Sequence, residues 1–106
     1  MMYLEKQTVM NSIKDLAKGI ENMYPLESSV QVYVEEPEDP TICYLGYSFV
    51  WQGKRTVIKM KHFINDVGAI AVDRQNGTHI IEIEGDELDG FKTLGDAFNE
   101  LGMSKK

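Results

Sequence analysis

The sequence predicts an α+β fold. Two layers are expected, with an N-terminal and a C-terminal helix packed on one face of an about five-stranded antiparallel sheet, in the order α-β-β-β-β-β-α. Three observations predict it. Two hairpin signals, Gln52-Gly53-Lys54-Arg55 and Gln75-Asn76-Gly77-Thr78, sit between runs rich in β-branched and aromatic residues. An apolar stripe at helical spacing precedes them. After Gly85 the apolar period changes back from two to three or four.

The first element is an amphipathic helix. Val9, Ile13, Leu16, Ala17, Ile20, Met23 and Tyr24 recur at steps of three and four, and charged residues such as Lys14, Asp15 and Lys18 lie off that stripe. Pro25 disfavours helical geometry at the residue before it, so the helix ends at Tyr24. Val30, Val32 and Val34 then alternate with Gln31, Tyr33 and Glu35, the pattern of a half-buried strand. Glu36-Pro37-Glu38-Asp39-Pro40 breaks it, because two prolines remove two backbone donors.

Residues 41–52 and 55–62 read as two arms of one hairpin. With Gly53-Lys54 as a two-residue turn, Trp51 meets Thr56, Phe49 meets Ile58, Tyr47 meets Met60 and Leu45 meets His62. That large apolar face is the natural seat for the N-terminal helix. The other face pairs Val50 with Val57, Ser48 with Lys59, Gly46 with Lys61 and Tyr44 with Phe63. Residues 69–74 and 78–84 form the second predicted hairpin around Asn76-Gly77, pairing Val72 with Ile81 and Ile70 with Ile83. Leu88, Phe91, Leu94, Phe98 and Leu101 then predict a helix capped by Asp86 or Asp89 and stopped at Gly102.

At 106 residues the chain is read as one domain spanning 1–106, able to bury a core without metal or disulfide. The single Cys43 lies in an apolar run and reads as a buried small hydrophobe in a reducing compartment. No apolar run approaches the roughly 18 residues of a membrane span, and residues 1–7 lack a signal-peptide pattern, so a cytoplasmic protein without membrane contact is expected. The net charge of −6 is patchy: nine of the 17 acids fall in two clusters, Glu35, Glu36, Glu38, Asp39 and Glu82, Glu84, Asp86, Glu87, Asp89. Lys54, Arg55, Lys59 and Lys61 form the one basic concentration.

Chemistry-bearing patterns are few. There is no nucleophile elbow, and the two histidines, His62 and His79, fall on different hairpins. Cys43 and His62 share a predicted face, but without a third orienting group they make a weak dyad. Gly85-Asp86-Glu87-Leu88-Asp89-Gly90 imitates a calcium loop only in part: position 1 would be Gly85 and position 12 Asp96, neither a suitable ligand. Zinc spacing and phosphate-binding glycine loops are absent, so no cofactor and no metal are expected.

These readings converge on a non-enzymatic protein-binding module, such as an inhibitor, adaptor or accessory factor, presenting Glu82, Glu84, Asp86 and Glu87 to a basic partner. The first alternative is a single-stranded nucleic-acid-binding protein using Lys59, Lys61, Arg55 and Tyr44 on the second sheet face, although the overall acid excess disfavours nucleic acid. The second alternative is a small enzyme with a Cys43/His62 site. Tyr44, Val50, Val57 and Phe63 place enough apolar area on the second face for a homodimer to cover it.

Overall fold

A computed structural model describes residues 2–72 and 77–106 and places nine elements along the chain. They are β1 (Tyr3–Leu4), α1 (Lys6–Met23), β2 (Gln31–Glu35), β3 (Ile42–Trp51), β4 (Lys54–Phe63), β5 (Ile70–Ala71), β6 (His79–Ile83), β7 (Asp86–Phe91) and α2 (Leu94–Glu100). The fold is α+β. Five strands form an antiparallel sheet in the order β2-β3-β4-β6-β7, and β1 pairs with β5 in a separate two-stranded ribbon.

The first helix ends where Pro25 demands, with Tyr24 already extended at φ −119° and ψ 146°. Val9, Ala17, Ile20 and Tyr24 face the sheet and are buried. Leu16 and Met23, assigned to the same stripe from sequence, are 55% and 44% exposed. At about 100° per residue they lie roughly 20° and 40° behind Val9, outside the arc that the sheet covers.

The β3–β4 turn is Gln52-Gly53, not Gly53-Lys54. Both residues adopt positive φ, 52° and 76°, as a type I′ turn requires, and Trp51 pairs with Lys54. Phe49 therefore meets Thr56, Tyr47 meets Ile58, Leu45 meets Met60 and Cys43 meets His62. Moving a two-residue turn by one position changes every pairing by two, so both faces keep the residues predicted for them. Cys43, Leu45, Tyr47, Phe49, Thr56 and Ile58 are all buried on the helix-covered face.

The second predicted hairpin does not form. Ile70–Ala71 pairs with Tyr3–Leu4, and β6 pairs with β4 and β7 instead, so Val72 does not meet Ile81 nor Ile70 Ile83. Asn76 of its predicted turn lies outside the described residues. The fifth strand of the sheet is instead Asp86–Phe91, the segment assigned from its period to the start of the second helix. Glu84 and Gly85, at φ 49° and 92°, make the tight turn before it, with Ile83 paired to Asp86. The helix begins only at Leu94, capped by Thr93, whose hydroxyl accepts from Asp96 N at 3.0 Å; neither Asp86 nor Asp89 caps it. Leu88 and Phe91 share the apolar residue types of a helix stripe, but the Glu84-Gly85 turn and pairing with β6 override that period.

Two buried clusters share the covered face. One joins Ala17 and Ile20 of α1, with Tyr24 just beyond it, to Ala97 and Phe98 of α2 over Tyr47, Phe49, Ile58 and Ile81. The Tyr24 and Phe98 rings lie 4.8 Å apart, and Trp51 Nε1 donates to Leu101 O at 2.9 Å, tying the hairpin to the end of α2. The other sets Val9 against Cys43, Leu45 and Ile70.

Candidate functional site

The face of the sheet away from the helices is organised around a buried cation. Lys59 lies on the central strand β4 and is 3% exposed. In its cross-strand row, Gly46 intervenes between it and Tyr33, and contributes no side chain. Its ammonium reaches Glu35 of β2 at 3.1 Å, Glu82 of β6 at 3.0 Å and Glu87 of β7 at 2.8 Å. The Tyr33 and Tyr44 rings stand 5.7 and 5.1 Å from it. A buried charge is tolerable only when paired and hydrogen-bonded, and here three charge-assisted bonds meet that condition.

Titration behaviour follows from this geometry. Burial opposes the Lys59 charge, but the bonds to Glu87, Glu82 and Glu35 together outweigh it and raise its pKa above the ordinary lysine range. The Tyr33 hydroxyl donates to Glu35 at 2.7 Å. That bond is the main cause holding the Glu35 carboxyl below its usual pKa, with Lys59 adding to it. Burial first, and then the same bond to Glu35, pushes Tyr33 up to about 12. One positive and three negative charges leave the cluster with an acid excess.

The second feature lies at the β6–β7 hairpin. A groove of about 500 Å³ opens between this hairpin and α2. Ile81, Ile83, Leu88 and Leu101 give it an apolar floor, its rim is mostly acidic with Glu84, Asp86, Glu87 and Glu100, and Lys54 is the one cation of its lining. Leu88 is 52% exposed. It shares this side of the sheet with its partner Ile81, whereas Glu87 pairs with Glu82 on the opposite side, toward Lys59. Beyond β7 no further strand follows among the described residues, so its outer edge is open.

The acids singled out from sequence therefore separate into two roles. Glu82 and Glu87 neutralise Lys59, whereas Glu84 and Asp86 are exposed at the turn beside the groove. Of the basic set, Lys59 is buried and spent on carboxylates, Arg55 and Lys61 are exposed, and Tyr44 is half-buried against Lys59. Tyr44, Lys61 and Phe63 do line one shallow groove of about 350 Å³ on this face. The bare apolar area expected there is smaller than four side chains suggest, because Val57 is only 2% exposed.

Cys43 and His62 are cross-strand partners on the covered face. Cys43 is fully buried, and that burial raises its thiol pKa. Burial likewise lowers the His62 pKa, and its Nδ1 donates to Met60 O at 3.1 Å. The buried thiol is thus shielded from solvent and disfavoured as a thiolate.

Sequence reasoning missed the lysine lock because its members lie on four strands, two of them edges, and meet only once strand order is known. It missed the groove because Asp86–Phe91 was read as helix. Gly85 was the one local signal available, since glycine takes positive φ without steric cost; Glu84, at φ 49°, is not a residue type that marks such a turn.

A model described as "Family of unknown function (DUF5634)" matches residues 3–101, and the chain belongs to that family. No curated protein matches it. The match takes in all the strands and both helices, so the lysine lock and the hairpin groove both lie within the family region.

Proposed function

We propose that this member of the DUF5634 family is a non-enzymatic protein-binding module, an inhibitor, adaptor or accessory factor, that engages a basic partner through its β6–β7 hairpin. The observation that carries the reading is the groove beside that hairpin, where exposed Leu88 and half-buried Ile83 sit among Glu84, Asp86 and Glu100. An apolar floor with an acidic rim suits a partner segment that presents an apolar anchor flanked by lysine or arginine. Lys59 supports the division of labour: its charge is met internally by three carboxylates, and around the groove Glu84, Asp86 and Glu100 outnumber the one lysine, Lys54.

The reading is tested by quantitative pull-down with the wild type and with Glu84→Lys/Asp86→Lys. These two positions are chosen because neither pairs with Lys59, so reversal leaves the lock intact. Partners bound at low salt should be lost from the variant and should weaken in the wild type as salt rises. Retention of the same partners by the variant overturns the reading.

A further inference from the structure

We propose that the outer edge of β7 is a docking edge for an extended segment of a partner protein in which apolar and basic residues alternate. The inference rests on the protein-binding reading above and adds the conformation and pattern of the occupant. β7 ends the sheet, and its outer backbone groups have no neighbouring strand among the described residues. An added strand would complete that hydrogen-bond ladder.

The pattern of the occupant follows from the pleat. Successive side chains of β7 point to opposite faces, so Leu88 turns to the groove over Ile81, and Glu87 turns to the lysine lock. A strand laid beside Asp86–Leu88 must alternate in the same way; beyond Leu88 the pairing of β7 with β6 shifts register, so this stretch sets the pattern. Its residues on the groove side meet Leu88 and suit apolar side chains. Those on the other side meet Glu87, which is 51% exposed and belongs to a cluster of three acids around one lysine. A lysine or arginine there relieves the excess negative charge.

The same chemistry selects against the commonest wrong partner. Edge strands are hazards because any chain can pair with them, and charge is one of the usual guards. A second copy pairing through its own Asp86, Glu87 and Asp89 would set acid opposite acid. The edge is thereby closed to itself and open to a basic strand.

The experiment uses the full chain and three synthetic probes: an extended peptide alternating lysine with valine, the same peptide N-methylated at every backbone nitrogen, and a version with glutamate replacing lysine. Calorimetry measures binding, and amide chemical shifts locate it. The lysine peptide should bind and shift the β7 amides, the N-methylated and glutamate peptides should bind at least about tenfold more weakly, and Leu88→Ser should weaken the lysine peptide by a similar factor. Equal binding of the N-methylated peptide, or shifts confined to residues away from β7, overturns the docking edge and leaves the protein-binding reading standing. Failure of the lysine peptide to bind at low salt overturns both.

Discussion

The two faces of the central sheet bury comparable lengths of β4 by different physics. On the covered face, Thr56 and Ile58 are 1% exposed beneath the helix layer, and Ile58 packs in an apolar cluster. On the open face, Val57 and Lys59 are 2% and 3% exposed with no helix above them. Long side chains from neighbouring strands supply that cover: the Tyr33 and Tyr44 rings and three carboxylates converge on Lys59. The covered face is held by non-directional apolar burial, and the open face by a charge that must be met from several strands at once. One central lysine thereby joins both edge strands, β2 through Glu35 and β7 through Glu87.

The sharpest way to break this arrangement lies where both faces depend on one backbone contact. A Cβ on Gly46 would stand 1.9 Å from Ile58 O and 2.7 Å from Lys59 Cα, so any side chain must force β3 from β4. Gly46→Ala should cost about 3 kcal/mol or more by denaturant unfolding, comparable to truncating the core with Ile58→Ala.

Lys59→Met should cost less, about 2 kcal/mol. It removes the buried cation but leaves Glu35, Glu82 and Glu87 partly hydrated, so the loss falls between that of a fully buried pair and a surface pair. Equal stability of the variant and the wild type would show that the open face is held by apolar contact as the other face is.

The dependence on pH sharpens the contrast further, since Glu35 and Lys59 on the open face are shifted by their bonded partners, whereas Cys43, Tyr47 and His62 on the covered face are shifted by burial. Glu35 has a depressed pKa, so the unfolded chain binds more protons in acid. Its contribution is present above the ordinary glutamate range, near pH 4, and is lost as pH falls through its lower folded value. Tyr33 and Lys59 have raised values, so the unfolded chain loses protons first in alkali. Their contribution is complete below about pH 10 and is lost as pH rises toward and beyond 12. Buried His62 adds a loss that begins below about pH 6.5, where the unfolded imidazole takes up its proton first, and buried Cys43 and Tyr47 add to the alkaline loss. Stability should therefore be greatest near neutrality and fall on both sides, and the alkaline fall should shrink in Lys59→Met. The smallest effect belongs to the groove: Leu88→Ser should change stability by no more than about 0.5 kcal/mol, because that side chain is already 52% exposed.

This contrast also explains what could be read from sequence. The covered face rests on local alternation, and Leu45, Tyr47, Phe49 and Ile58 were assignable to it even with the turn misplaced by one residue. The α+β class and the extent of the first helix rest on similarly local signals. Strand order was less legible: the 69–74 segment has the composition of a sheet strand, yet Ile70 and Ala71 pair with Tyr3 and Leu4 near the other end of the chain. Lys59 looked like a solvent-facing cation because its neighbours in sequence, Ile58 and Met60, point to the other face. Its three carboxylates come from positions 35, 82 and 87, and no local window contains them together.

The central claim, that Lys59 ties both edge strands to the centre of the sheet, is tested most directly by native-state amide hydrogen exchange on Lys59→Met against the wild type. The variant should lose protection in β2 and β7 by more than its global destabilisation accounts for, while the amides joining β3 to β4 fall only by that global amount. A uniform loss across all five strands would contradict the claim.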